Sequence, residues 1–316
     1  VKNDGVERYS DLESHHIDVL ETGDFGDNGI CLVSRTKKSK IRMAQAASLK
    51  IFENEDEIQY DANISTNNKS VYQDVKLECT KLQPFRFEKL VSIYTSRDFA
   101  VSDPLNEATN KIQEAGIFSE IYEKHREEWE QLWNLSSFEM NATDDEIQVI
   151  RLHIFHIHQT VSRNSIGRDV GVPSRGWHGE AYRGHIFWDE LYIFPYINLH
   201  MPELARSLLM YRYHRLPRAR QAAKESGYKG AMFPWQSGSN GREESQKIHL
   251  NPKSGRWIPD NSRLQRHINA AIPYNVWLFY QASNDMDFLG TYGAEIILNT
   301  ALFWSSIAEF NNRTDR

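Results

Sequence analysis

Only two cysteines, Cys31 and Cys79, occur in this chain of 316 residues. Two thiols cannot build a metal cluster or a disulfide framework, so two free thiols are the expectation and a single bridge the alternative. No apolar run approaches the roughly 20 residues needed to cross a bilayer, which excludes a helical membrane span. Basic residues are outnumbered, 37 Lys and Arg against 43 Asp and Glu, for a formal net charge of −6. A nucleic-acid partner needs clustered Lys and Arg. The one such run, Arg212-Tyr-His-Arg-Leu-Pro-Arg-Ala-Arg220, lies close to Lys224 and Glu225 and reads as a solvated helix face. The chain neither opens on Met nor carries a signal-peptide apolar region. Its start reads as internal, and a cytoplasmic setting is the expectation.

Aromatic residues, by contrast, are plentiful at 12%, with 8 Trp and 14 Tyr. Tyr and Trp pair an apolar body with a polar handle, which suits binding clefts as well as bulky helical cores. Their densest company is Glu180-Ala-Tyr-Arg-Gly-His-Ile-Phe-Trp-Asp-Glu-Leu-Tyr-Ile-Phe-Pro195, where Arg183, His185, Trp188, Asp189 and Glu190 stand among large apolar residues. Unpaired charges are costly to bury. Aromatic faces beside carboxylates, a cation and an imidazole suit a polyhydroxylated ligand, since sugars offer C–H faces to the rings and hydroxyls to the charges. A helix with core aromatics and internally paired charges fits the same residues.

The length suggests about two domains. Residues 1–103 read as strands: Gly29–Val33, Ile41–Gln45, Val71–Glu78 and Phe85–Tyr94 show period-2 or β-rich stretches, with polar turns at Thr36–Lys40 and Asp61–Ser70. Short strands separated by turns suggest an antiparallel sandwich. Residues 104–142 form a helical linker, with Ile117–Trp133 as a charged helix. From 143 to 316 the helical period continues. Thr143 and Glu146 predict a capping box ahead of an apolar face through Ile147, Ile150, Ile154, Ile157 and Val161. Pro202 sits at a first helical position, Pro217 opens a short helix that Gly227 ends, and Asn269–Ser283 and Tyr292–Phe310 carry further helices. His153 and His156 stand at i, i+3 rather than the i, i+4 step of helical zinc ligands, so structural roles are expected and no metal is. Glu190, Glu243, Glu244 and Asp260 read as solvated or paired acids.

Several blocks in one order then carry a resemblance. Tyr182-Arg-Gly-His-Ile-Phe-Trp-Asp189, Leu209-Met-Tyr-Arg-Tyr213, Gly227-Tyr-Lys-Gly-Ala-Met-Phe-Pro-Trp235, His267-Ile-Asn-Ala270 and Tyr292-Gly-Ala-Glu-Ile-Ile297 resemble glycoside hydrolase family 65, the maltose, trehalose and kojibiose phosphorylases and related α-glucoside hydrolases. The resemblance runs from about Val91 to the end, more faintly before it. It implies a multidomain protein, mainly α with a β part: the end of an N-terminal β-sandwich (1–103), a helical linker (104–142) and the first half of an (α/α)6 barrel (143–316). It further implies cleavage of an α-linked glucose disaccharide with inversion, by water or by inorganic phosphate as co-substrate, without another cofactor, in a homodimer. By resemblance Trp188 stacks on the glucose and Asp189 accepts its hydroxyl hydrogen bonds. Arg183 and His185 orient or extend that contact, and Trp235 and His267 lie at the pocket rim.

Two departures qualify the match. The family's general-acid Glu, in a Gly-Pro-Asp-Glu-aromatic-His motif, is expected beyond Arg316, so no catalytic residue is assigned within this chain and the segment alone is expected to be inactive and prone to aggregate through unpartnered apolar faces. Where phosphorylases read Trp-Asp-Thr-Glu, this chain reads Trp188-Asp-Glu-Leu191, which leaves linkage open and favours a hydrolase slightly. A non-catalytic sugar-binding or scaffold fragment is the alternative reading.

Overall fold

The computed structural model describes residues 16–80, 84–176, 182–309 and Arg313, in two compact units, 1–133 and 134–316. Glu180, Ala181 and Trp177–Gly179 lie outside the described residues.

The first unit is built on a five-stranded antiparallel sheet. Its strands are β1 (Ile17–Phe25), β2 (Gly29–Thr36), β3 (Arg42–Glu53), the short β4 (Asp56–Glu57) and β7 (Phe85–Thr95). β3 is central, pairing with β2 from Ile30↔Ala47 to Arg35↔Arg42 and with β7 from Met43↔Thr95 to Glu53↔Phe85. Strand side chains alternate between faces. Leu90 therefore turns inward with Val33, Ala44 and Ala46, while Val91 stays exposed. Helix α1 (Pro104–Glu114) covers the inward face with Ala108 and Ile112. Asp103 caps α1 through the Leu105 N–H, and Pro104 takes the first turn, where its missing N–H costs nothing.

A separate hairpin joins β5 (Ala62–Asn67) to β6 (Ser70–Val75). This corrects the expected turn over Asp61–Ser70: Asn63, Ser65, Thr66 and Asn67 are polar, yet Ser65 and Thr66 pair with the β-rich Tyr72 and Val71 and Ile64 with Gln73, and only Asn68-Lys69 turn. The expected strand to Glu78 stops at Val75, and β3 continues eight residues beyond Gln45 to Glu53. Cys31 is buried, Cys79 is exposed, and both are free thiols. Helix α2 (Phe118–Leu135) buries none of its residues, in keeping with its charged composition.

The second unit is helical. Helix α3 (Asp144–Thr160) begins on the expected box: Thr143 Oγ1 accepts from the Glu146 N–H, and Glu146 accepts from the Thr143 N–H at 2.8 Å. Then come α4 (Glu190–His200), α5 (Pro202–His214), α6 (Leu216–Glu225), a hairpin of β8 (Ile248–Asn251) and β9 (Arg256–Pro259), and α7 (Ile268–Ser283). A single turn, α8 (Met286–Phe288), runs through a π turn at Leu289–Gly293 into α9 (Ala294–Ile307). The helix expected from Tyr292 thus starts two residues later, because the wide turn inserts a residue ahead of it. One core gathers Phe194 and Ile197 of α4, Leu204 and Leu208 of α5, Ile272, Val276 and Phe279 of α7, and Ile296 of α9. Burying each such side chain contributes on the order of 1.5–3 kcal/mol.

Pro273 interrupts the α7 hydrogen-bond ladder. It cannot donate to the Asn269 carbonyl four residues back, and Trp304 Nε1 of α9 donates there instead, at 3.2 Å. That bond ties α9 to α7.

The basic run of α5 and α6 is not the solvated face expected of it. Arg212 is 1% exposed and Arg215 5% exposed. Arg212 Nε donates to Glu190 at 3.0 Å, and Arg215 pairs with Asp169. Of its arginines, Arg218 and Arg220 reach the surface, towards Glu225 and Glu295. A cation can be buried when a carboxylate from a distant segment meets it.

Ser136, His158 and Tyr196 form a further buried knot. Ser136 Oγ lies 2.7 Å from His158 Nε2, and the Tyr196 hydroxyl donates to Ser136 at 2.7 Å. Burial, then the neighbouring His200, lowers the His158 pKa from its ordinary 6.5. A histidine whose folded-state pKa is depressed contributes stability that is present above its unfolded pKa and lost as pH falls through the folded one. Melting temperature is therefore expected to fall progressively on acidification below about pH 6.5, and His158→Gln to flatten that limb. Parallel melting curves for parent and variant from pH 8 to 5 would refute this.

Candidate functional site

Helices α4 and α7 pack side by side, which brings their N-termini together. Trp188 and Asp189 stand at the start of α4, and His267 at the start of α7. Trp235 arrives from the loop between α6 and α7. The three rings form one cluster: Trp188 and His267 lie 5.0 Å apart edge-to-face, Trp235 and His267 4.8 Å, and Trp188 and Trp235 6.3 Å. Trp188 and Trp235 are half-buried and His267 is exposed. The platform can therefore offer aromatic faces to a ligand while its back rests on the core.

Asp189 lies beside this cluster and turns elsewhere. With Tyr192 and Ile193 of α4, His153 and His156 of α3, and Arg175, it lines an open cavity of about 450 Å³. The Asp189 side chain makes no capping hydrogen bond at α4. Burial pushes its carboxyl above the ordinary 3.8, with its own backbone N–H pulling the other way.

His185 is half-buried and its Nδ1 lies 2.7 Å from Gln236 Nε2. Arg183 is exposed and sits at φ +57° between Tyr182 at φ +59° and Gly184 at φ +67°. Such consecutive left-handed residues cost on the order of 1–2 kcal/mol each outside glycine, and they turn the chain sharply into Ile186. Ile186 and Ser237 then exchange backbone hydrogen bonds of 3.1 and 2.9 Å, fastening the two site segments together.

Five residues that hold the site together, Glu190, Arg212, Asn269, Glu243 and Gly230, were not legible as such. Glu190, buried, anchors Arg212, whose Nη2 donates to the Phe187 carbonyl at 3.0 Å, one residue before Trp188. Burial pushes the Glu190 carboxyl up while the Arg212 charge opposes it. Asn269 clamps Phe233, accepting its N–H at 2.6 Å and donating to its carbonyl at 3.2 Å. Glu243 accepts the Trp235 N–H at 2.7 Å. Gly230, at φ +68°, passes so close to α9 that a Cβ there would sit 2.1 Å from the Asn299 carbonyl oxygen and 2.6 Å from the Phe303 nitrogen. Glu190, Arg212, Asn269 and Gly230 lie in the stretches quoted from the sequence, but nothing there showed which partner each would meet. Of the other acids, Asp260 accepts from the Ser262 N–H and Glu244 pairs with Arg242. Among the described residues, no group of His, Cys, Asp and Glu is placed to hold a metal.

The model of the glycosyl hydrolase family 65 central catalytic domain matches residues 151–316, and that of the family's N-terminal domain matches residues 1–132. The chain belongs to glycosyl hydrolase family 65. Within this family, an uncharacterized glycosyl hydrolase of Mycobacterium tuberculosis is 39% identical over all 316 residues, which span 24% of its length. The trehalose 6-phosphate phosphorylase of Lactococcus lactis is 36% identical over 99% of this chain and 39% of its own. The kojibiose phosphorylase of Halothermothrix orenii is 33% identical over 90% of this chain and 38% of its own. A solved structure from the human microbiome, assigned to the kojibiose phosphorylases, superposes with a TM-score of 0.75 at 22% identity, over 98% of this chain and 38% of that one. The family 65 chain described here thus spans well under half of each of these relatives. No helix among its described residues is long and apolar enough to cross a membrane.

Proposed function

We propose that this chain is the glucose-holding part of a family 65 enzyme that cleaves an α-linked glucose disaccharide by phosphorolysis, with inversion. The carrying observation is the site at the N-termini of α4 and α7, where the aromatic cluster of Trp188, Trp235 and His267 adjoins the Asp189 carboxylate on the cavity wall. Trp188 stacks on the nonreducing glucose, and Asp189 accepts its hydroxyl hydrogen bonds. His185 and Arg183 flank that contact, and Trp235 and His267 form the rim. The named phosphorylases among the relatives support phosphate as co-substrate.

Inversion requires a general acid on one side of the scissile bond and a nucleophile on the other. A phosphate oxygen bonds to C1 as the glycosidic C1–O bond breaks, and the acid gives its proton to the departing oxygen, leaving β-glucose 1-phosphate and the free acceptor sugar. Glu190 is locked on Arg212 and Glu243 on backbone donors, and Asp189 is assigned to the sugar's hydroxyls, so none of the three is assigned as that acid. Both acid and phosphate-binding groups are assigned to sequence outside this chain.

The full-length protein is expected to release β-glucose 1-phosphate from α-glucose disaccharides only when inorganic phosphate is present. Phosphate-independent glucose release would select the hydrolase, and turnover of neither kind across the α-linked glucose disaccharides would select a non-catalytic sugar-binding or scaffold role.

A further inference from the structure

We propose that Glu243 is a positioning residue for the sugar-binding wall, acting through the backbone at Trp235 and Gln236. Oε2 accepts the Trp235 N–H at 2.7 Å. Oε1 accepts the Gln236 N–H at 3.0 Å, the Ser245 N–H at 3.1 Å and the Ser245 hydroxyl at 2.7 Å. A carboxylate offers about four acceptor sites, and four protein donors already bond this one, so it is committed to the loop rather than to a ligand. Its contribution is geometric.

The segment it shapes is held at Phe233 by Asn269 and at Ser237 by Ile186, and Glu243 takes the N–H groups of Trp235 and Gln236 between those two ties. Pro234 has no N–H, and 233–236 belongs to no helix or strand. Glu243 stands in for the missing strand neighbour, and charged acceptors make the stronger hydrogen bonds. The loop closes on itself where the Glu244 N–H donates to the Gln236 carbonyl at 2.9 Å. From there the order propagates in two directions. Trp235 is set against Trp188 and His267. Gln236 and Ser237 hold His185 and Ile186, which lead into Trp188 and Asp189. A single carboxylate therefore fixes the rim directly and the sugar wall through one intervening contact.

This inference rests on the glucose reading of Trp188 and Asp189, and the test separates the two. In the full-length protein, Glu243→Ala is expected to raise KM for the α-glucoside about tenfold with a smaller change in kcat, because misplaced binding groups weaken the whole bound state. Glu243→Gln keeps an oxygen for the Gln236 and Ser245 donors but turns an amide N–H against the Trp235 N–H, so its KM falls between parent and Glu243→Ala. Should Glu243→Ala not fold, Glu243→Gln and Ser245→Ala carry the measurement. Unchanged KM in both, on protein with the parent's near-ultraviolet circular dichroism, overturns the positioning role. Trp188→Ala tells the two failures apart. If its KM rises while the Glu243 variants match the parent, the positioning role alone falls. If its KM is unchanged, the sugar-wall reading falls and this inference with it.

Discussion

Asp189→Ala in the full-length protein is expected to lower kcat/KM by about a hundredfold or more. Hydrogen bonds to a charged acceptor are worth about 1.5–3 kcal/mol each, and a carboxylate facing a sugar can accept two. Losing about 3 kcal/mol corresponds to roughly two decades in rate. Trp188→Ala is expected to fall in the same range, since it removes the stacking face and also the ring against which Trp235 and His267 rest. The pH profile adds a check on Asp189 itself. Because burial raises its pKa above 3.8, the carboxylate is lost at a higher pH than an exposed aspartate would lose it. KM should climb early on acidification, and Asp189→Asn should abolish that climb. Steady-state kinetics within about threefold of parent for both variants, a difference of well under 1 kcal/mol, would remove these residues from the substrate site.

Arg212→Met is expected to cost about 3–5 kcal/mol of stability, because it leaves the Glu190 carboxylate buried without its partner. Both side chains are almost wholly enclosed, at 1% and 4% exposure. The reciprocal change Glu190→Leu strands the guanidinium in the same way. Combining the two is the informative experiment: an apolar pair of similar volume is often near neutral relative to a buried ion pair, so the double variant should recover much of the loss. It should not recover activity to the same extent, since Arg212 also holds the Phe187 carbonyl beside the sugar wall. Denaturant melts of the single variants within about 1 kcal/mol of the parent would contradict the argument.

Features set by local spacing were legible in the sequence, and features set by distant partners were not. The Thr143–Glu146 box, Pro202 at a helix start and the strands around Val33 and Leu90 follow from neighbours within a few residues. The hairpin strand at Ala62–Asn67 was hidden because its composition is that of a turn, and only pairing with Ser70–Val75 makes it a strand. Arg212 looked solvent-facing because its carboxylate lies 22 positions away. The site divides in the same manner. Trp188 and Asp189 stand out as aromatic and acid side by side, but their separation, one in the ring cluster and the other on the cavity, depends on how α3, α4 and α7 pack. Glu243 had no visible signal, because its partners are backbone N–H groups that every sequence possesses.

Gly230 has a consequence for how this part of the chain can diverge. The loop it belongs to is stitched to α9 through the Ala231 N–H on Asn299 and to α6 through the Met232 N–H on Ala219, both at 3.0 Å. With no room for a single extra carbon between loop and helix, the two backbones act as a gauge of fixed width. The exposed Leu298 stands clear of that contact, so a change there leaves the gauge untouched. A residue gained or lost between Gly230 and Asn299 has to be absorbed in the hairpin of β8 and β9 or the loops around it, where length can change while the aromatic cluster stays where it is.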